Sequence, residues 1–363
     1  MHQRVDRYTA RPDRTPGKFR VAFTGDSFNP DGSFPSPDVG LSVFDGVPFV
    51  ELRGFPEHTP VISPQQLGAD QGVIMRGSRV SRETLASPAD LLAVVRFGVG
   101  YDNVDVPACT ESDVVAAITP GAVDRCVAEA TLCWMLALSH NLMGKDRLVR
   151  EARWGDPFRY RGCEVGGRTL GVIGLGRIGR ALVDLCRGLG MAPPIAFDPM
   201  VSTEQGQDAG VRMVELDELL TTADFVTIHC PLTPQTRNLI GARELALMKA
   251  DSYLINIARG GVVDEDALFD ALQSNRIAGA GIDCFVGEPL GAPPKFAELD
   301  NVIMAPHGIA ITREHGMRIG RMTCQAMLDL AEGRKPVGVL NPEVFDKPSF
   351  QEKWARLTEG LGA

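Results

Sequence analysis

The sequence predicts an α/β protein in two domains, one of them a doubly wound parallel sheet. Three observations point there. The 363 residues are too many for one ordinary core and enough for two. Short apolar runs alternate with longer amphipathic ones, which is the pattern of strands and crossover helices. One such run, Leu170 to Ile173, leads directly into Gly174-Leu175-Gly176-Arg177-Ile178-Gly179 and a further amphipathic stretch.

In the first third, Phe19 to Phe23, Gly72 to Met75, Ala93 to Phe97 and Val114 to Ala117 read as strands, and Ser81 to Leu85 opens a helix between two of them. Asp124 to Leu142 reads as a helix because Val127, Leu132, Met135 and Leu138 share a face. Trp154, Gly155, Asp156 and Pro157 then break the pattern. A second series begins at Thr169. Its strands are expected at Thr169 to Ile173, Pro194 to Phe197, Phe225 to His229, Ser252 to Ile257, Gly279 to Asp283 and Val302 to Ala305. Thr312 to Gly333 reads as one more helix. The tail after it is too short for a domain and is expected to pack back on the first third. One domain is then discontinuous, 1–122 with 318–363, around a second at 123–317. No internal repeat or low-complexity segment interrupts this plan.

The composition excludes several classes. A hydrophobic fraction of 44% and a charged fraction of 23% are those of soluble globular proteins. A formal charge of −9 argues against nucleic acid as a partner, since phosphate contacts need a basic surface. The apolar runs, such as Leu91 to Val95 and Thr131 to Leu138, are too short to span a bilayer. Met1 to Phe19 carries four arginines but no apolar segment, so a secretory signal is not expected, and Asp6 and Asp13 count against a transit peptide. A flexible or strapped-on tail is the plain reading. None of the eight cysteines forms a C-x-x-C pair, so no metal site is expected and the thiols read as reduced, in the cytoplasm.

The glycine loop carries the first chemical signal. Gly174 allows the tight turn, Gly176 lets backbone approach a pyrophosphate, and Gly179 lets helix pack on strand. Arg177 and Ile178 open the helix whose unpaired N–H groups and positive dipole end face that phosphate. Asp198 ends the next strand 19 residues after Gly179, where a carboxylate can accept both ribose hydroxyls and would repel a 2′-phosphate. NAD is therefore expected over NADP. The plainer reading of Asp198 is a surface residue closing the strand before Pro199.

Three residues stand where strands give way to loops in the second half: Arg259, Glu288 and His307. Hydride transfer from a nicotinamide leaves an alkoxide that must take up a proton, and histidine suits that work. A neighbouring carboxylate favours the imidazolium, and an arginine fork can grip a substrate carboxylate. Each also has a structural reading: His307 as a loop histidine, Glu288 as a turn residue, Arg259 as the partner of Asp264 or Glu265. Spacing does not decide between them.

At these residues the sequence resembles the D-isomer-specific 2-hydroxyacid dehydrogenase family. The resemblance rests on residues 167–179, on Asn256-Ile257-Ala258-Arg259-Gly260-Gly261 through Leu268, and on Gly281 to Pro289 followed by Ala305-Pro306-His307. Weaker blocks are Gly98 to Asp105, Thr119 to Ala122 and Pro231 to Thr236. The resemblance implies a Rossmann nucleotide domain inserted in a flavodoxin-like substrate domain, NAD as cofactor, and a homodimer built partly through Asp124 to Leu142. It implies His307 as acid/base, Glu288 as its partner and Arg259 as substrate clamp. Asp283 would hold the nicotinamide carboxamide, Pro231 would lie near the adenine, and the N–H groups of Val99 and Gly100 would bind the substrate carboxylate. The chain departs from the family in Gly308 directly after the histidine, so the loop there is expected to bend differently.

Arg76 and Arg96 resemble the phosphate-side arginines of 3-phosphoglycerate dehydrogenases. Two cations at the distal end of a pocket suit a phosphorylated or dicarboxylic acid; internal salt bridges are the plainer reading. A phosphoglycerate-like substrate is expected first, with glyoxylate or hydroxypyruvate reduction close behind. The resemblance admits one reading of another class, an NAD(H)-sensing binding module like the C-terminal binding proteins, which share this fold and trio.

Overall fold

The computed structural model describes residues 6–7, 17–35, 39–88 and 90–361. The tail expected over Met1 to Phe19 lies largely outside these residues. The chain divides into two compact units, Met1–Val123 with Thr312–Ala363, and Asp124–Ile311. The return crossing falls at Thr312, whose side chain accepts the N–H of His315 and so caps the helix Arg313–Ala331, keeping that helix whole in one unit.

The first unit holds a parallel sheet of β1 (Asp6–Arg7), β2 (Phe19–Phe23), β3 (Val50–Gly54), β4 (Gly72–Met75), β5 (Ala93–Arg96) and β6 (Val115–Ala117), in the order β1-β3-β2-β4-β5-β6. Leaving out the short β1, this is the flavodoxin-like order, with its switch point between β2 and β4. The sheet is covered on both faces. Phe19, Val21 and Phe23 of β2 share one core with Met327 and Leu330 of the last long helix and with Phe345 and Phe350. The alternate residue Ala22 faces Ile62, Leu67 and Leu91 on the other side.

Two expectations fail here. Strand β3 is absent from the sequence reading because Glu51 and Arg53 interrupt its apolar pattern. Arg53 is nonetheless buried, its Nε donating to Asp70 Oδ1 at 2.6 Å. Ser81 to Leu85 forms turns and not a helix, since Ser81 N–H is taken by Thr84 Oγ1 at 3.1 Å and Thr84 N–H by Ser81 Oγ at 3.3 Å.

The second unit holds β7 (Leu170–Ile173), β8 (Ile195–Phe197), β9 (Arg212–Met213), β10 (Phe225–Ile228), β11 (Tyr253–Asn256), β12 (Gly279–Ile282) and β13 (Val302–Met304). All pair in parallel in the order β13-β12-β11-β10-β7-β8-β9, a Rossmann sheet whose direction of growth reverses between β7 and β10. β7, β10, β11 and β12 are buried throughout, which is why they read as continuous apolar runs. The two-residue β9 escaped the sequence reading for want of such a run. The helix expected over Asp124 to Leu142 stops at Ser139, and a second, Leu142–Arg150, begins after Asn141, which is left-handed at φ 49°.

Candidate active site

The glycine loop leaves β7 at the point where the second sheet reverses, beside the end of β10. Gly174 has φ +92°, and a Cβ there would lie 2.7 Å from the Cys230 nitrogen, so only glycine lets the two loops approach. Gly176 caps the helix Arg177–Cys186 with no side chain accepting from the first turn, and a Cβ on it would meet nothing within 4 Å. Open space before uncapped N–H groups fits a dinucleotide pyrophosphate. Asp198 follows β8; its Oδ2 accepts the N–H of Leu175 and its Oδ1 that of Met200, both at 2.9 Å. It therefore ties the glycine loop to the neighbouring strand and keeps further lone pairs for ribose hydroxyls. The Arg177 side chain is turned to Asp124, Nε to Oδ2 2.7 Å, leaving the residue's backbone for phosphate.

Pro231 lies in the loop after β10, its carbonyl accepting from Thr236 Oγ1 at 2.6 Å. Two residues earlier His229 is half-buried, with its Nε2 buried and without a partner, and desolvation pushes its pKa down to about 4, so the ring is neutral.

Along the same carboxyl edge, beyond β10, the loops after β11, β12 and β13 bring the expected trio together. His307 Nδ1 and Glu288 Oε1 are hydrogen-bonded, and Glu288 Oε2 accepts the N–H of Phe285 at 3.1 Å. Burial raises the Glu288 carboxyl, but the bond to His307, the Phe285 N–H and the charge of Arg259 outweigh it and hold the carboxyl below its ordinary range. The charge of Arg259 thus reaches Glu288. The alternative partners of Arg259 have other work: Asp264 caps the helix Glu265–Gln273, and Glu265 Oε1 accepts the Val286 N–H at 2.7 Å.

His307 is itself left-handed, at φ 50°, a costly conformation for a residue with a Cβ. Asp283 sustains it. The His307 N–H donates to the Asp283 carbonyl at 2.7 Å, and Asp283 Oδ1 accepts from Gly308 at 2.8 Å and Ile309 at 3.2 Å. The unusual bend thus sits at His307, while a Cβ at Gly308 would make only ordinary contacts of 3.5 Å and beyond.

Sequence reasoning missed Asn256. This buried residue ends β11, donates from Nδ2 to the Arg259 carbonyl at 2.9 Å and accepts the Ala258 N–H at 3.2 Å, so it shapes the turn that presents Arg259. Its place in the block Asn256 to Arg259 was visible, but a polar residue closing an apolar run carries no signal of which backbone it will bind.

The remaining expected residues belong to the first unit. Val99 and Gly100 follow β5, and among the described residues neither N–H has a partner, which suits an anion. Arg96 Nη1 donates to the Phe97 carbonyl at 2.6 Å. Arg76 lies over the Phe97 ring at 5.4 Å, and no carboxylate pairs with it among the described residues. His315 was not anticipated: burial, then the charges of Arg318 and Arg76, depress its pKa, which marks three basic groups crowded together.

The comparisons with known proteins point to one family. Residues 132–308 match the family described as D-isomer specific 2-hydroxyacid dehydrogenase, NAD binding domain. The D-3-phosphoglycerate dehydrogenase of Methanocaldococcus jannaschii is 39% identical over 297 residues, 81% of this chain and 56% of that protein. The chain spans little more than half the length of such relatives. The glyoxylate reductase of Korarchaeum cryptofilum is 34% identical over 87% of this chain and 97% of its own length. Among solved structures, D-lactate dehydrogenase from Aquifex aeolicus, complexed with NAD and lactic acid, superposes with a TM-score of 0.75 at 27% identity, covering 86% of this chain and 96% of that one.

Proposed function

Since the chain belongs to the D-isomer-specific 2-hydroxyacid dehydrogenase family, we propose that it interconverts a small D-2-hydroxy acid and its 2-oxo acid with NAD as redox partner. The observation that carries this reading is the His307–Glu288 pair held at a strained turn within reach of the charge of Arg259.

Gly174, Gly176, the first turn at Arg177 and Ile178, Gly179 and Asp198 would hold the dinucleotide, which when bound supplies or accepts the hydride. His307 gives its proton to the 2-oxygen as the oxo acid is reduced and takes it back in the reverse direction. Glu288 orients the imidazole through Nδ1 and balances its positive charge. Arg259 grips the substrate carboxylate or carbonyl with its fork. The N–H groups of Val99 and Gly100, without partners among the described residues, suit a substrate carboxylate.

The cations Arg76 and Arg318, close to a His315 ring kept neutral, favour a substrate with a second anionic group, a phosphorylated or dicarboxylic acid. Similarity over nearly the full length of a glyoxylate reductase supports the second reading, reduction of glyoxylate or hydroxypyruvate. A homodimer is favoured by apolar side chains after the helix Asp124–Ser139: Leu142, Met143, Val149, Trp154 and Phe158 are exposed, the last two by 75% and 77%. No helix among the described residues is long and apolar enough to cross a membrane, and a cytoplasmic setting is part of the proposal.

The test is NADH oxidation against glyoxylate, hydroxypyruvate, 3-phosphohydroxypyruvate and 2-oxoglutarate, with NADPH alongside. Turnover of one acid with NADH supports the reading. Tight NADH binding with no turnover of any acid overturns it.

A further inference from the structure

The loops that form the His307–Glu288 pair also bring a thiol to it. Cys284, buried at the end of β12, has its sulfur placed so that Sγ, a carboxylate oxygen of Glu288 and an imidazole nitrogen of His307 all lie within 4.8 Å of one another. No other three such donors gather in this way among the described residues. Sequence spacing hides the set, because the members stand at 284, 288 and 307 with no C-x-x-C or H-x-x-x-H pattern.

We propose that Cys284, Glu288 and His307 form a site for a borderline-soft divalent cation of the zinc class, whose occupation blocks the acid/base pair. One thiolate, one carboxylate and one neutral imidazole are a donor set that zinc accepts and that hard cations such as magnesium do not favour. Their two negative charges equal the charge of the ion, so a buried thiolate beside a carboxylate is compensated once the metal is present. Bonds of about 2.0–2.3 Å require donors roughly 3.3–3.8 Å apart, so the group needs only a modest closing. The side chains of His307 and Glu288 are 45% and 30% exposed, which gives the ion a route in and leaves a fourth position for water.

Binding displaces protons. The Cys284 thiol, which donates to the Ala258 carbonyl at 3.4 Å, loses its hydrogen, as does the His307–Glu288 hydrogen bond, and both protons pass to solvent. With the metal on Nδ1, the neutral ring carries its one remaining hydrogen on Nε2, so it has no free electron pair with which to take a proton from substrate. Inhibition is therefore competitive with protonation and reversed by a chelator.

The test uses the full-length protein and Co²⁺, whose bond to a thiolate gives a charge-transfer band in the near ultraviolet. One equivalent of Co²⁺ should produce that band, and Zn²⁺ should bleach it. Cys284→Ala should abolish the band. His307→Ala, a change at a partly exposed side chain, should weaken binding by at least the roughly 10-fold that loss of even an outer-shell partner costs. Cys133→Ser, at an exposed thiol elsewhere, should change neither. Binding without the band, or a band that survives both Cys284→Ala and His307→Ala, overturns the proposal. None of these readings needs turnover, so a failure of the proposed reaction would leave the metal result standing, and the reverse.

Discussion

The N–H of His307 donates to the carbonyl of Asp283 at 2.7 Å, while the Asp283 carboxylate accepts the next two N–H groups, so one residue holds the whole turn that carries the proposed acid/base. Burial raises the Asp283 carboxyl, and those two N–H bonds oppose it. This role differs from the one the family resemblance implies for Asp283, a grip on the nicotinamide, and the two are separable. Asp283→Ala should release the left-handed turn and lower kcat by about 10–100-fold. Asp283→Asn keeps an acceptor oxygen for the turn and should restore most of the loss. If Asn and Ala are equally slow while KM for NADH rises in both, the carboxylate serves the cofactor and not the turn.

Within the pair, His307→Ala should cost about 10²-fold or more in turnover while NADH affinity holds. Glu288→Gln replaces the carboxylate that accepts from the ring at Nδ1 by an amide, and should lower kcat while KM for NADH holds. A KM for NADH that rises as much as kcat falls would argue that Glu288 only supports the fold.

The two glycines of the cofactor loop should fail differently. Gly174→Ala places a methyl 2.7 Å from the Cys230 nitrogen on a backbone at φ +92°, so it should lower Tm with or without cofactor. Gly176→Ala meets no protein atom, so Tm of the free protein should stay within a degree or two, roughly the effect of a neutral surface change. Its NADH affinity should nevertheless fall, because the space it fills is where backbone and pyrophosphate meet. Thermal unfolding with and without NADH separates the cases.

Much of this was legible in the chain, for identifiable reasons. Strands buried on both faces, such as Leu170–Ile173 and Phe225–Ile228, announce themselves as apolar runs, and Gly174 to Gly179 names the switch point. Arg259, Glu288 and His307 were visible because they stand where strands give way to loops, at the edge where ligands bind in open α/β folds. What was hidden depends on distant partners. Arg53 in β3 looks solvent-bound until Asp70 answers it, Asn256 looks like an ordinary strand end until its amide meets Arg259, and His315 gains meaning only beside Arg76 and Arg318. The left-handed His307 was also unreadable, since attention goes to the glycine that follows it.

His229 makes stability depend on pH. Its ordinary pKa of 6.5 falls to about 4 in the folded chain because burial disfavours the charged ring. The unfolded chain therefore binds the extra proton between those values, and stability, complete above about pH 6.5, is lost as pH falls towards 4. At roughly 1.4 kcal/mol per unit, the loss reaches about 3 kcal/mol at the acid end. Tm should fall from pH 7 to pH 5. In His229→Gln, which starts less stable, that fall should be shallower; equal slopes would assign the pH dependence to other groups.

The last prediction concerns the second anion. Arg76 has no carboxylate partner among the described residues and shares its surroundings with Arg318 and a His315 whose ring is held neutral, so positive charge there stays unbalanced until an anion arrives. Arg76→Ala should then raise KM for 3-phosphohydroxypyruvate about 10-fold or more, the worth of a charge-assisted hydrogen bond, and leave KM for glyoxylate near its starting value. The loss should shrink with added salt if exposed charge carries it. Should both acids lose equally, the Arg76 side chain holds the fold through the Phe97 ring and the Asp26 carbonyl, to which Nη1 donates at 3.5 Å, and the substrate ends before reaching it.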